Sequence, residues 1–475
     1  MLTTFALISG SLLSFSGGDE DWPGWRGNGS GVASGKPPIE WTESQNVRWK
    51  TELPGKGLSS PVIHGGLVFV TTAVGTGKVK EGEPAAEGGE GERERGRGEG
   101  RGERGGEGRG DGEGGRRGDG PPDGERGRGR GPGGPGRGGP IEEQDFVVLA
   151  LERATGRIAW QAKLGTHMPH EGTHPDGSYA SPTPVTDGER LYVSFGSYGI
   201  HALTLDGKVA WSVDLGDMQI NNAFGEGSSP VLVGDSLILN WDHEGDSFLV
   251  ALDKQSGKER WRTARPRGTN WSSPVVVTAG GATQVIVAGP VAIAYDPATG
   301  KELWREGAAP EGRGGGAIAT PVVLDELVVF ATGGRGGGEA RAWVAPKPGE
   351  APAEPLLWKV RVDGPHVPSP LACGGKVYML KQDSGMLSVL DPVAGKVEYG
   401  PERLDAVQNV YASLVAASGH LYVAGRDGTV EVLATEPEVL TVAVNTLPEG
   451  IDATPAIAGD ELYLRGSEHL YCIAE

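Results

Sequence analysis

The sequence has little cysteine. Its two cysteines, Cys373 and Cys472, are too few for a disulfide framework in a chain of 475 residues. Their positions match neither a zinc-ligand spacing nor a redox pair, so we interpret both as buried apolar thiols. Apolar segments with a 3.6-residue period are also scarce, which excludes a helical protein. No apolar run reaches the roughly 20 residues that a transmembrane helix needs.

Positive charge is in deficit as well. The chain has 44 Lys and Arg against 63 Asp and Glu, which gives a net charge of -19. This balance argues against nucleic acid as a general partner. Glycine and proline are abundant instead, at 82 and 34 residues. That composition is typical of an all-β fold with many turns.

A unit of four short strands recurs along most of the chain. Its fullest copy is 228–261, SSPVLVGDSLILNWDHEGDSFLVALDKQSGKERW. Ser-Pro-Val opens the first strand, Gly234-Asp235 turns the chain into the second, 248–252 forms the third, and the fourth ends at Trp261. Repeats of about 40–50 residues with four strands each indicate the blades of a β-propeller.

The opening motif of this unit occurs eight times. Its middle residues are Ser60, Thr183, Ser229, Ser273, Thr320, Ser369, Ser413 and Thr454. The eighth repeat stops after its third strand, and a lone strand at 46–53, which contains Trp49, has no sheet of its own. We therefore predict an all-β, eight-bladed propeller of four-stranded antiparallel blades. The N-terminal strand near Trp49 joins the last blade and closes the ring, which removes the open sheet edges.

Tryptophans recur near the end of the closing strands. We predict that they dock adjacent blades, because a buried indole removes a large apolar area from water. Most closing strands follow a glycine-containing turn, such as Ala154-Thr155-Gly156-Arg157. The predicted docking tryptophans are Trp49, Trp160, Trp211, Trp261, Trp304 and Trp358.

Three segments fall outside the repeat. Residues 1–16 contain a short apolar run and small residues at a possible cleavage site, so we predict a signal peptide. No cysteine follows it that could carry a lipid. Residues 17–45 should form an extension that packs on the propeller, which spans 46–475. Residues 75–140, rich in Gly, Arg and Glu, interrupt blade one, and we expect this loop insert to be disordered.

Polar loops gather on one predicted face of the ring. The loop before the first strand of a blade and the loop after its second strand open on the same side. His167, His170 and His174 lie in one such loop, HMPHEGTHPD. Three histidines so close together could bind zinc or another divalent cation. The alternative is that they face solvent or are hydrogen-bonded within the protein.

Neighbouring loops supply a second set of candidates. We expect these residues to converge near the mouth of the central channel and to form a site for a ligand or partner, in which the arginines could receive a carboxylate. Glycine-rich loops at 313–316 and 333–338 join the same rim but lack a phosphate-binding fingerprint. The candidate rim residues are Asn221, Asn222, Glu226, Asp242, His243, Arg265, Arg267 and Trp271.

The repeated Ser-Pro-Val, Gly-Asp-x-Leu, Ala-Leu-Asp, Thr-Gly-Lys and Trp motifs resemble the pyrroloquinoline-quinone (PQQ) propeller repeat. The resemblance covers 49–475 apart from the insert. One branch of that family holds quinoprotein dehydrogenases, which oxidise alcohols or sugars with PQQ and usually calcium. Another holds BamB-type scaffolds, which need no cofactor. The adjacent cysteine pair that often covers the quinone in the dehydrogenases is absent from this sequence.

The resemblance therefore implies two possible functions. The first is a monomeric, non-catalytic binding or scaffold module without a cofactor, exported to the periplasm or cell envelope. It would assist outer-membrane protein assembly, with envelope or outer-membrane proteins or a glycan as its partner. The alternative is a PQQ-dependent dehydrogenase that uses calcium and oxidises an alcohol or sugar.

Overall fold

The structure is a computed structural model that describes residues 20–80, 141–289, 291–306, 317–333, 337–347 and 356–475. The predicted signal peptide, most of the predicted insert (81–140) and the loop at 313–316 lie outside the described residues, as does part of the loop at 333–338. No helix in the described ranges is long and apolar enough to cross a membrane.

Eight antiparallel sheets of four strands each form the ring, so the predicted eight-bladed propeller is confirmed. Blades one to four consist of β3 Val62–His64, β4 Leu67–Val79, β5 Glu142–Glu152 and β6 Ile158–His167; β7 Val185–Thr186, β8 Arg190–Ser194, β9 Ile200–Thr204 and β10 Val209–Val213; β11 Val231–Val233, β12 Ser236–Trp241, β13 Phe248–Asp253 and β14 Glu259–Ala264; and β15 Val275–Ala279, β16 Ala282–Val287, β17 Ile293–Tyr295 and β18 Glu302–Arg305.

Blades five to eight complete the ring. They consist of β19 Val322–Leu324, β20 Leu327–Thr332, β21 Gly338–Val344 and β22 Leu356–Val362; β23 Leu371–Cys373, β24 Lys376–Lys381, β25 Met386–Asp391 and β26 Lys396–Arg403; β27 Val415–Ala417, β28 His420–Ala424, β29 Thr429–Ala434 and β30 Leu440–Thr446; and β31 Ala456–Ala458, β32 Glu461–Arg465, β33 His469–Ile473 and the N-terminal β2 Val47–Glu52. A short strand, β1 Val32–Ala33, and two 3₁₀ turns, Gly196–Tyr198 and Asn221–Ala223, complete the regular elements of the described ranges.

The N-terminal strand closes the ring as predicted. β2 pairs antiparallel with β33, with Trp49 opposite Cys472 and Val47 opposite Ile473. This pairing supplies the outer strand that blade eight otherwise lacks. The pairing in blade one also continues into the segment predicted as a loop insert, because Gly75 lies opposite Gln144 and Val79 opposite Glu142.

Each sheet is buried on both faces because successive side chains in a strand point towards opposite neighbours. In β12, Leu239 packs with Tyr192 of blade two, whereas the adjacent Ile238 packs with Val285 of blade four. Outer strands are exposed on one face, so β14 alternates between exposed and partly buried residues. The apolar core is therefore a series of clusters between blades.

Hydroxyl groups link the blades around the channel. The middle residue of each opening motif from Ser60 to Ser413 donates its backbone N–H to the side-chain hydroxyl of the equivalent residue in the next blade. Seven such bonds of 2.9–3.0 Å run from Ser60 to Thr454. At the seam between blades eight and one, the buried Arg465 donates to the carbonyl oxygens of Ser59 (3.0 Å) and Thr71 (2.9 Å).

Five of the six predicted tryptophans contact the turn of the following blade. The indole N–H of Trp211, for example, donates to the carbonyl oxygen of Lys254 at 3.0 Å. Trp49, Trp160, Trp261 and Trp358 make equivalent bonds of 2.7–2.9 Å. Each indole lies on the turn glycine, so that an added Cβ would come within 3.0 Å of the ring.

Trp304 differs from the others. Its indole N–H donates to the side-chain oxygen of Gln284 in its own blade at 2.8 Å. The indole is 4% exposed and packs with Phe330 and Trp343 of blade five.

An N-terminal segment crosses one mouth of the channel. Gly24 packs against Val185 of blade two, and Gly31 lies against Leu371 of blade six, on the opposite side of the ring. β1 then pairs parallel with β27 of blade seven. Between these contacts Arg26 is 1% exposed. The segment 21–33 therefore covers the channel at the end where the first strands of the blades finish.

The docking of indole on glycine can be tested at two glycines of blade three. Both have positive φ, +72° at Gly257 and +57° at Gly234, but only Gly257 lies under an indole, and nothing lies within 4 Å of a Cβ at Gly234. We expect Gly234→Ala to cost about 1–2 kcal/mol through backbone strain. Gly257→Ala should cost about 1–3 kcal/mol more, because its Cβ would meet Trp211. Urea unfolding measures both, and equal losses would contradict the docking role.

Candidate functional site

A small pocket with a cavity volume of about 20 Å³, room for about one water molecule, lies between blades two, three and four. The residues after β8 and β12 and those before β11 and β15 line it, so it lies on the face opposite the N-terminal segment. Of the predicted rim residues, the structure brings Glu226, Asp242 and Trp271 together in its wall. A second, smaller pocket of about 10 Å³ adjoins it and shares Glu226 and Pro182.

Glu226 is held by the 3₁₀ turn that follows β8. Its Oε2 accepts a bond of 2.8 Å from the backbone N–H of Ser197, and its Oε1 accepts a bond from the Ser197 hydroxyl. Gly196 is required here, because a Cβ at this position would overlap Oε2. Burial raises the pKa of Glu226 to about 8, and the nearby Glu171 and Asp217 add to the rise. The carboxyl group is therefore largely protonated at neutral pH.

Asp242 and Arg265 form an ion pair inside the protein. Arg265 Nε and Nη2 donate to the two Asp242 oxygens at 2.8 and 2.9 Å, and the side chains are 1% and 2% exposed. Tyr295 Oη accepts from Arg265 Nη1 at 2.8 Å, and Asn270 Nδ2 donates to Asp242 at 3.0 Å. Arg265 is therefore already paired with a carboxylate of its own chain.

His243 and Trp271 shape the pocket and its surroundings. His243 Nδ1 accepts from the N–H of Gln219 at 3.0 Å, which leaves Nε2 to donate to the carbonyl oxygen of Asp246 at 3.2 Å. Burial lowers the pKa of His243, so this neutral form persists near pH 7. Trp271 Nε1 donates to the carbonyl oxygen of Gly225 at 2.8 Å, which fixes the indole in the pocket wall.

The remaining predicted rim residues are exposed around the pocket. Asn221 and Asn222 are exposed in the middle of the blade two–three connection, and Asn222 and Ala223 have positive φ of 56° and 52°. Arg267 pairs with Asp246 at 2.7 Å, with side chains 68% and 97% exposed. We call Asn221, Asn222, Asp246 and Arg267 the polar tip.

The loop that contains His170 and His174 crosses the second mouth of the channel, whereas His167 is the last residue of β6. On one side His170 bonds the Met218 carbonyl at 2.7 Å and the Tyr198 hydroxyl at 3.1 Å. On the other side Asp176 bonds Arg426 (3.2 Å) of blade seven. We call 168–178 the cover loop, because it spans the ring between these contacts.

The cover loop is anchored firmly at blade seven. Arg426 also pairs with Asp452 at 2.8 Å and lies 3.8 Å above the ring of Tyr411, whose hydroxyl donates to Asp176 at 3.1 Å. The bonds to Arg426 lower the pKa of Asp176, so its carboxylate stays charged. Sequence spacing carries no signal for this anchor, because its members are more than 200 residues apart.

The three histidines have separate environments. His167 packs edge-on against Phe146, His170 is hydrogen-bonded as described, and His174 lies 3.7 Å from Asp176 and packs on Phe224. In the ranges that the structure describes, no group of three His, Cys, Asp or Glu side chains could hold a metal ion. The proposed histidine metal site thus gains no support from the geometry.

Fold and repeat together define the class of protein, a PQQ-like eight-bladed propeller. A family model described as "Outer membrane protein assembly factor BamB" matches residues 144–345 and 245–475, which is more than half of the chain. The chain therefore belongs to this family. It is also similar to outer membrane protein assembly factor BamB of Yersinia pestis, with 21% identity over 334 residues that cover 67% of this chain and 77% of the relative.

Solved structures share the fold. BamB from Moraxella catarrhalis matches with a TM-score of 0.50 and 14% identity over 69% of this chain and 91% of that chain. Quinohemoprotein alcohol dehydrogenase from Comamonas testosteroni matches with a TM-score of 0.57 and 11% identity, over 95% of this chain and 80% of that chain. A europium-containing methanol dehydrogenase matches with a TM-score of 0.59 and 10% identity, over 95% of this chain and 91% of that chain. At these identities the likeness shows the fold alone.

The two aspartates near the pocket should differ in their effect on stability. Asp242→Ala leaves Arg265 buried without its counter-ion, which we expect to cost about 3–5 kcal/mol in the free energy of unfolding. Asp246→Ala removes an exposed ion pair and should have no measurable effect. Denaturant unfolding of both variants checks the prediction, and a small loss for Asp242→Ala would mean that the pair is not a structural brace.

The raised pKa of Glu226 predicts a pH dependence of stability. Its folded pKa of about 8 exceeds the ordinary value of 4.5, so the folded state binds the proton more tightly. Its stabilising contribution is complete below that ordinary value and is lost as the pH rises through about 8. Glu226→Gln should flatten this decline, measured by urea unfolding from about pH 5 to about pH 9. Glu259→Gln on the exposed face of β14 is the control, and an unchanged slope in Glu226→Gln would refute the assignment.

Proposed function

We propose that the protein is a non-catalytic scaffold of the cell envelope that binds envelope or outer-membrane proteins and assists outer-membrane protein assembly. The observation that carries the proposal is the family match, since the matched description is that of an assembly factor. The proposal places the protein in the periplasm or at the envelope, where the Yersinia pestis relative named as an assembly factor would act.

The proposed binding surface is the polar tip. Its exposed side chains stand on a rigid base, because Asp242, His243 and Arg265 are buried and hydrogen-bonded beneath them. Backbone strain at Asn222 and Ala223 is maintained by the surrounding structure, a feature that clusters at binding sites. Both channel mouths are covered by the chain itself, which favours the outer rim as the surface for a protein partner.

The second candidate, a PQQ-dependent dehydrogenase, is favoured by the fold neighbours but not by the pocket chemistry. The quinone carries carboxylates that need cations, and calcium needs about six oxygen ligands. Neither pocket wall includes a lysine or arginine. Arg265 is bound to Asp242, and the raised pKa makes Glu226 a poor calcium ligand. The described residues of the pocket therefore do not fit this pair of cofactors.

Capture of partners from envelope extracts tests the scaffold proposal. We expect the purified protein to retain outer-membrane proteins or assembly components, with the same yield when PQQ and calcium are added or omitted. Arg267→Glu reverses an exposed charge at the polar tip and should lower the yield at least about tenfold at low salt, since rim charges steer association.

The matched control is Arg157→Glu, which reverses a similarly exposed charge (76%, against 68% for Arg267) in the turn before the outer strand β6. It should leave capture unchanged. Equal capture by both variants would remove the polar tip from the proposal. No capture above background, together with dye reduction after reconstitution with PQQ and calcium, would replace the scaffold with the dehydrogenase.

A further inference from the structure

Arg26 is a buried cation without a counter-ion. The residue lies in the segment 21–33, which covers one mouth of the channel, and it is 1% exposed. No carboxylate of the described ranges pairs with it. Asp21, the acid nearest in sequence, bonds His64 and the N–H of Gly65 instead. Burial lowers the pKa of Arg26 to about 10, so the guanidinium still carries its charge at neutral pH.

The guanidinium is also short of hydrogen-bond acceptors. Its Nη2 donates to the carbonyl oxygen of Ser30 at 3.2 Å, whereas Nε is enclosed and has no partner in the described part of the chain. Nη1 makes no bond to the described residues either, but it is not fully enclosed, so a species of water size can reach it. Buried donors are almost always paired. Acceptors are therefore missing at two of the three nitrogens.

Two other arginines are buried in the described ranges, and both are satisfied by the chain. Arg265 donates to both oxygens of Asp242, at 2.8 and 2.9 Å. Arg465 has no carboxylate, but it makes three bonds of 2.6–3.0 Å to carbonyl and hydroxyl oxygens. Arg26 has a single bond of 3.2 Å, so the cost of burying its charge is left without compensation by the described residues.

The surroundings of Arg26 favour a small anion. Gly31 closes one side of the guanidinium, because a Cβ on Gly31 would lie 2.9 Å from Nε. The ring of Trp25 lies 5.4 Å from Cζ, and this cation–π contact attracts the cation but accepts no hydrogen bond from it in the way an anion does. Since Arg26 is 1% exposed, the free space beside it suits an ion about as large as a water molecule, and not an organic acid.

We propose that a monovalent inorganic anion of the size of chloride binds Arg26 beneath the segment 21–33. The anion accepts a hydrogen bond from Nη1 and neutralises the guanidinium, which lowers the cost of holding the segment over the channel mouth. Anion binding and the covered state of this mouth thus stabilise each other. The site lies on the face opposite the polar tip, so anion binding and partner capture can fail independently.

Thermal unfolding in chloride and in the bulky anion gluconate tests the proposal. Sodium chloride replaces sodium gluconate at a constant ionic strength of about 0.3 M, so that screening does not change. We expect the melting temperature of the full chain to rise by at least about 2 °C along a saturable curve, because a ligand that binds only the folded state stabilises it. Crystals grown in bromide should show its anomalous signal at the Arg26 guanidinium. No saturable rise, or bromide bound only elsewhere, overturns the proposal.

Two variants separate this site from a general salt effect. Arg26→Met removes the buried charge, so its melting temperature should be the same in both anions and, in gluconate, at least as high as that of the wild type. Lys36→Met removes an exposed cation of the same N-terminal extension and should keep the wild-type response to chloride. A chloride response in Arg26→Met as large as that of the wild type would refute the assignment. If Arg26→Met does not fold, the bromide signal in the wild-type protein decides.

Discussion

The propeller depends on buried backbone N–H groups at the start of each first strand. These donors lie where no strand of their own blade can satisfy them, and an unpaired buried donor costs about 1–3 kcal/mol. The neighbouring blade supplies the acceptor as a serine or threonine hydroxyl, in seven successive bonds. This need explains why a small hydroxyl residue occupies the middle of the seven opening motifs from Thr183 to Thr454, whose hydroxyls accept these bonds.

The same geometry explains why the two faces of the ring differ. On the face where the first strands end, the turns are short and the segment 21–33 covers the channel. On the other face, the longer loops of blades two and three carry a buried ion pair, a protonated carboxyl group and the cover loop. Polar groups are concentrated on this face because its loops are long enough for their side chains to form hydrogen bonds with one another. The candidate site is thus an asymmetric addition to a repetitive scaffold.

The sequence predicted the features that recur in every blade, but it did not predict the contacts that occur only once. Eight opening motifs and the lone strand at Trp49 predicted the closed ring, because each signal lies within one blade or at its end. The anchor between Asp176 and Arg426 escaped prediction, since nothing in the local sequence of either residue reports the other. Asp242 and Arg265 were expected to face a ligand, but their burial depends on Tyr295 and Asn270. Trp304 matches the motif and yet donates its indole N–H within its own blade, to Gln284, while its ring packs with Phe330 and Trp343.

Closure of blade eight by β2 has a consequence for biosynthesis. Arg48 and Glu461, which pair across this sheet, are 413 positions apart, so the N-terminal strand has no partner until the last blade has been made. Contacts of such separation form slowly. During that interval β2 and the last sheet each present an unpaired edge, to which strands of other chains could add. The seam of the ring is therefore the place where chaperones would be needed most.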